Sequence, residues 1–220
     1  MNEFDAKLRA QKCQNMADEI ADLVNLNQSL YQAFIDVDRE IFTPQGFARQ
    51  AYRLDALPMS EEQWISSPLT VAKMTLALEI DRNVDSILEI GCGSGYQAAI
   101  LSRLIRRVFT IERIESLLRE AKEKFSALKI NNIHARFDDG QKGWRSYAPF
   151  DRILFSASAK NIPESIFAQL KIGGILVAPI DKEDGKQVIT QFIKTPYEIT
   201  KKEIGDCLFV PVVDGTKSLK

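Results

Sequence analysis

The sequence has one histidine, His134, and three cysteines, Cys13, Cys92 and Cys207, among its 220 residues. The thiols lie far apart and form no Cys-x-x-Cys pair, so neither a disulfide framework nor a thiolate zinc site is expected. A single imidazole excludes a His-based metal cluster within one chain, and no metal is expected. Any Ser–His or Cys–His catalytic pair would rest on His134 alone. An excess of one charge is also lacking, with 29 Lys and Arg against 30 Asp and Glu. No nucleic-acid partner is therefore expected, although a local basic patch can hide in a neutral total. No run approaches membrane-spanning length and no charged-then-apolar leader is legible, so no membrane contact is expected and the cytoplasm is the default compartment. What is present is the composition of a folded chain, 45% hydrophobic and 27% charged. Its length suits one α/β domain with a small extension.

The first thirty residues place Met16, Ile20, Leu23 and Val24 at roughly helical intervals, predicting one or two amphipathic helices. From Pro44 to Pro68 no period is sustained, and a segment of this kind inside a domain is often a functional loop. Leu69 to Ile80 returns to a helical pattern. A strand–helix alternation follows: strand 86–90, helix 96–106, strand 108–111, helix 116–128, strand 132–137, strand 153–155, helix 163–170 and strand 175–180, with Gly173-Gly174 as punctuation before the last. Such alternation predicts a mostly parallel sheet covered on both faces. Val188 to Ile193 and Cys207 to Val213 read as a closing antiparallel hairpin around a charged turn region. The expectation is one domain spanning 1–220, with residues 1–68 as a helical and loop extension and 69–220 as the core.

The segment Glu89-Ile90-Gly91-Cys92-Gly93-Ser94-Gly95-Tyr96 sits where a strand gives way to a helix. Glycines there permit positive φ and let a ligand approach the backbone. The competing reading, a tight turn with no ligand, accounts poorly for three alternating glycines. A dinucleotide fingerprint needs Gly-x-Gly-x-x-Gly, and its third position is Tyr96 here; a Gly-Lys-Ser/Thr phosphate loop is absent. An acid two residues before the first glycine instead resembles the first motif of class I methyltransferases, a Rossmann-like fold that binds S-adenosyl-L-methionine. Glu112, ending the second strand, is placed to accept both ribose hydroxyls. Asp138-Asp139-Gly140 follows the third strand, where such enzymes often set an acid against the adenine amino group, yet Asp-Asp-Gly is also a plain turn. The expected cofactor residues are Glu89, Gly91, Cys92, Gly93, Ser94, Gly95, Glu112, Asp139 and Gly140.

Further segments narrow the resemblance. They include Val37-Asp38-Arg39-Glu40-Ile41-Phe42, Ala51-Tyr52, Ala56-Leu57-Pro58-Met59 and Gln63-Trp64-Ile65-Ser66-Ser67-Pro68. Later come Gly143-Trp144, Ala148-Pro149-Phe150-Asp151, Gln169-Leu170 and Phe209-Val210-Pro211. In order and spacing, from about residue 21 to 215, the chain resembles the protein-L-isoaspartate (D-aspartate) O-methyltransferase family. The resemblance implies a mostly parallel seven-stranded sheet with a C-terminal antiparallel hairpin and extra N-terminal helices. It also implies methylation of isoaspartyl carboxylates in peptides and unfolded proteins as the first step of repair, with a monomer as the expected state. The acceptor loop departs from the family's Pro-Ile-Gly-x-Gly-Gln-Thr-Ile-Ser-x-Pro: Ser60 and Glu62 replace both glycines, and Trp64 replaces the threonine.

Methyl transfer to a carboxylate suits a chain with one histidine. An aspartate-like acceptor with pKa about 3.9 is already ionised at neutral pH, so no general base is needed. The resemblance puts the catalytic position at Ser66, whose hydroxyl would orient the acceptor. The competing role for Ser66 is the N-cap of the helix starting at Pro68. Trp64, Ser66 and Ser156 are the expected acceptor-side residues. His134 and Trp144 are expected to be structural, and Cys92 a small loop residue rather than a nucleophile. Two alternatives stay open: another acceptor, or a diverged homologue that binds the cofactor without turnover.

Overall fold

The computed structural model describes residues 3–219. It begins with two helices, α1 (Glu3–Leu23) and α2 (Gln28–Asp36). Met16, Ala17 and Ile20, recurring at helical spacing, are buried in one cluster with Leu30, Ala33 and Phe34. Asn27 caps α2 by accepting the Leu30 N–H at 2.9 Å. The expected irregular stretch then holds 3-10 turns at Arg39–Phe42, Gln45–Gln50 and Ser60–Glu62. It also holds a minimal antiparallel pair, β1 (Leu57–Pro58) against β2 (Trp64–Ile65). Two residues per strand carry no period, which is why the pair is not legible in sequence.

Helix α3 (Pro68–Ala77) leads into the alternation β3 (Ser86–Ile90), α4 (Tyr96–Ser102), β4 (Arg107–Glu112), α5 (Glu115–Ala127) and β5 (Ile133–Phe137). The chain continues through β6 (Phe150–Phe155), α6 (Glu164–Phe167), β7 (Leu170–Asp181), β8 (Gln187–Lys194) and β9 (Ile199–Cys207). The seven longer strands form one sheet in the order β5-β4-β3-β6-β7-β8-β9. The first five are parallel, and β8 runs against both neighbours. This is the expected architecture. Its apolar strands are buried on both faces, with Ile87, Val108, Leu154 and Val177 in one core cluster. Their strand neighbours Leu88, Phe109, Phe155 and Leu176 lie in the other. The N-terminal helices belong to the first cluster.

Three expectations are corrected. The last strand is Ile199–Cys207, not 207–213. Lys201, Lys202 and Glu203 are exposed on this edge strand, so it shows no apolar alternation and reads as a turn, while its charges discourage further pairing. Residues beyond Cys207 leave the sheet and return across the strand ends, where the Val212 N–H donates to the Ser158 carbonyl at 2.7 Å. Helix α6 has one turn, because β7 already begins at Leu170. Gly173, at φ 79°, and Gly174 lie inside β7 where its register against β6 shifts, so they form a bulge rather than a boundary. His134 faces solvent on β5 and stacks on Phe109 at 5.0 Å, and Trp144 packs edge-on to the same ring at 5.7 Å.

Asp151 ties the strand starts together. One oxygen accepts from the Asp85 and Ser86 N–H groups at 3.2 and 2.9 Å and from the Ser86 hydroxyl at 3.0 Å, and the other meets the Lys171 ammonium at 2.6 Å. Burial acts to raise its pKa, but Lys171 and the Ser86 donors outweigh that and hold it below the ordinary carboxylate range. Asp151→Asn is expected to lower unfolding free energy by about 1.5–3 kcal/mol at pH 7 in urea titrations, the range for hydrogen bonds to charged groups. A depressed folded pKa stabilises above the unfolded value of about 3.9 and ceases to as pH falls through the folded value. The gap between parent and variant should therefore close below about pH 4; a gap constant with pH would refute the ionic account.

Candidate active site

Strand β3 is followed by β4 on one side of it and, after β5, by β6 on the other. Loops leaving neighbouring strand ends therefore diverge, and a crevice opens beyond the carboxyl ends of β3, β4 and β6. The glycine turn borders it. Gly91 and Cys92 N–H groups both donate to the Ile111 carbonyl, at 2.9 and 3.2 Å, so the turn hangs on β4. Gly95 sits at φ 89°, and a Cβ there would lie 2.8 Å from the Phe125 ring of α5; only glycine lets α4 start this close. A Cβ on Gly93 would meet no protein atom within 4 Å. That space is open cleft.

Glu112 ends β4 with 5% exposure. Its carboxylate accepts from the Gly93 N–H at 2.8 Å through one oxygen and from the Ile114 N–H at 2.9 Å through the other. Burial raises its pKa, opposed by these backbone donors. Glu89 lies deeper and is fully buried, with the Thr110 and Ser156 hydroxyls 2.6 and 3.1 Å from its two oxygens. Desolvation pushes its pKa up to about 8, so it carries a proton through most of the neutral range. Burial likewise raises the Cys92 thiol well above its ordinary value and keeps it from being a thiolate.

Gly91, Cys92, Gly93, Ser94, Glu112, Gly140, Ser156, Trp64 and Ser66 line one cleft. Glu89, Gly95 and Asp139 do not; Glu89 lies on β3 before the turn, and Gly95 ends the turn where α4 begins. Asp139 is buried and accepts from the Gln141 N–H at 3.0 Å and the Gly215 N–H at 3.1 Å, which tethers the C-terminal segment. Ser66 is not the cap of α3. That role belongs to Ser67, whose hydroxyl oxygen accepts the Thr70 N–H at 3.1 Å. Trp64, 54% exposed, walls the mouth of the cleft.

Sequence reasoning missed Tyr96, Gln97 and Val210 through Val213 as lining residues. The available signal is Phe209-Val210-Pro211, which reads in sequence as part of a strand and as a mark of the family resemblance but not as cleft lining. Among the described residues Arg113 is the one cationic side chain lining the cleft, and its Nε donates to the Gly215 carbonyl at 3.1 Å. A diphosphate would find little to neutralise it here, whereas a neutral ribose finds a buried carboxylate beside a glycine turn. That preference, on this strand order, defines a class I methyltransferase whose cofactor is S-adenosyl-L-methionine.

The sequence profile of protein-L-isoaspartate(D-aspartate) O-methyltransferase matches residues 10–217. The chain belongs to that family. It is 56% identical over 203 residues to a protein-L-isoaspartate O-methyltransferase of Helicobacter pylori strain J99, covering 92% of this chain and 96% of the relative. The homologue from Maricaulis maris is 49% identical over 80% of this chain and 82% of its own length. A solved protein-L-isoaspartate O-methyltransferase superposes with a TM-score of 0.81 at 25% identity, over 90% of this chain and 65% of that longer one. A Plasmodium falciparum structure described as a complex with S-adenosyl-L-homocysteine shares the fold, with a TM-score of 0.80 at 22% identity over 93% and 98% of the two chains.

Glu112→Gln keeps the size of the side chain and removes its charge. It should weaken S-adenosyl-L-homocysteine binding about 10–100-fold by calorimetry, the equivalent of a charge-assisted hydrogen bond, while the parent binds no NAD. An unchanged dissociation constant would remove Glu112 from the ribose.

Proposed function

We propose that this protein transfers a methyl group from S-adenosyl-L-methionine to the free carboxylate of L-isoaspartyl and D-aspartyl residues in peptides and unfolded proteins, initiating their repair. The observation that carries the reading is one cleft lined both by Glu112 and the glycine turn and by Ser66 and Trp64, in a chain of this family. The cofactor supplies an activated methyl on a sulfonium; the protein must hold the acceptor oxygen in line with it and exclude water. The glycine turn and Glu112 hold the nucleoside. Ser66 donates its hydroxyl to the acceptor carboxylate, and Ser156, already hydrogen-bonded to Glu89, borders the same space. No step calls for a base, in keeping with His134 lying on the solvent side of β5.

In this reading residues 1–220 act as one unit, with 1–68 shaping the acceptor side and 69–220 the cofactor side. It works as a cytoplasmic monomer with neither nucleic acid nor membrane as partner. Near-equal positive and negative charge supports the absence of a nucleic-acid partner, and, among the described residues, no helix is long and apolar enough to cross a membrane. The primary test is transfer of labelled methyl to an isoaspartyl peptide and to its normal aspartyl twin. Incorporation into the first alone supports the proposal; labelling of both or neither defeats it.

Since Ser67 performs the capping, Ser66→Ala should lower kcat with little change in cofactor affinity or melting temperature. A drop in melting temperature without a kinetic defect would make Ser66 structural. Trp64 offers an apolar wall where the family has a compact hydroxyl. Trp64→Thr should accordingly accept peptides with Phe beside the isoaspartate that the parent disfavours relative to Gly. Identical flanking profiles in parent and variant would show that the indole does not face the peptide.

A further inference from the structure

Arg39 is fully buried, and among the described residues it forms no ion pair with a carboxylate. Its guanidinium instead serves backbone carbonyls of the acceptor-side loop. One terminal nitrogen donates to Ala51 and Arg53 at 2.8 and 3.3 Å, and the other donates to Asp55 and Ser66 at 3.0 Å each. Its Nε has no hydrogen-bond partner among the described residues, and the group lies over the Tyr96 ring at 5.8 Å from the centroid. Tyr96 itself lines the cleft, so the cation stands directly behind the site.

Burying a cation without a counter-ion is unfavourable, and a neutral side chain of similar volume would fill the space at less cost. What a neutral side chain cannot supply is a planar fork of donors that reaches carbonyls from two separate segments. The loop needs such a clamp. Between Thr43 and Ser67 the only strand ladder is the two-residue pair of β1 and β2. Ser66 is held by its carbonyl at the buried end and borders the cleft at the other.

We infer that Arg39 is a positioning residue for methyl transfer, fixing the Ser66 hydroxyl relative to the acceptor carboxylate through the Ser66 carbonyl. The inference rests on the orienting role proposed for Ser66. It assigns Arg39 no contact with cofactor or acceptor.

The test is a kinetic double-mutant cycle on the full chain with Arg39→Lys, Ser66→Ala and the pair. Lysine keeps the charge but cannot span four carbonyls. Arg39→Lys should lower kcat on an isoaspartyl peptide by about 100-fold, the scale of a misplacement of about 1 Å. Its S-adenosyl-L-homocysteine dissociation constant should stay within about twofold of the parent's, and in the Ser66→Ala background the substitution should add less than about threefold. Arg39→Met, which removes the buried charge, repeats the comparison if the lysine variant does not fold. A parental kcat, an undiminished penalty in the Ser66→Ala background, or cofactor affinity falling in step with kcat would each overturn the inference. Ser66→Ala with parental turnover would instead overturn the role of Ser66 itself.

Discussion

The site depends on the reversal of sheet growth at β3. Strands β4 and β5 are laid down on one side of it, and β6 and β7 on the other. A right-handed crossover carries the chain away from the sheet end in opposite directions on the two sides, so neighbouring loops cannot fill the gap between them. The turn after β3 therefore ends in a crevice, with backbone N–H groups that need partners. The Ile111 carbonyl takes two of them, and the Glu112 carboxylate takes a third from Gly93. The same strand, β4, thus fixes the shape of the turn and presents the carboxylate beside it. A ligand there meets a surface already organised before it arrives.

The acceptor side is held differently. Sheet ladders fix the side of the cleft formed by β3 and β4, whereas the loop from Thr43 to Ser67 is held by one guanidinium, a two-residue ladder, the Tyr52 hydroxyl on Asp38 and the buried side chains of Ala51, Leu57 and Ile65. Its most altered stretch, Ser60 to Glu62, holds two side chains at positive φ, Glu61 at 59° and Glu62 at 58°, the second of them where the family pattern has a glycine. Side chains are strained in that region. Glu61 meets the Lys217 ammonium at 2.6 Å and lies 3.3 Å from the Ser116 hydroxyl, so the strained turn touches the C-terminal segment that borders the cofactor cleft. Lys217 in turn bonds through its backbone to Arg113 and Glu115, immediately after Glu112. The loop before α3, the C-terminal segment and the chain just after β4 are thus linked to one another.

This arrangement suits a reaction whose difficulty is alignment rather than proton transfer. The acceptor is already an anion, and the donor methyl already carries a good leaving group. The useful properties of the protein are then stiffness on both sides of the reacting centre and a dry boundary between them. The apolar lining from Ile65, Val71 and Val210 to Val213 supplies that boundary.

Much of this was legible in the sequence. Buried parallel strands are near-continuous apolar runs, so β3, β4 and β7 announce themselves, as do the glycine turn and the acid that ends β4. Edge strand β9 could not be read, because an exposed edge needs no apolar alternation, and the pairing that creates it comes from β8. The tether made by Asp139 was not legible for a related reason: an acid in a turn after a strand gives no sign that it also accepts the Gly215 N–H, 76 residues away. Ser66 and Ser67 stand side by side before the same proline, and only helix geometry gives the cap to Ser67. The sequence by itself determined the layer order, the glycine turn and the kind of ligand, since these follow from local periodicity and from residue types over a few positions. The tertiary structure alone decided that Arg39 grips Ser66 and that Val210 to Val213 borders the cleft. Contacts between residues 27 and more than 100 positions apart leave no trace in local pattern.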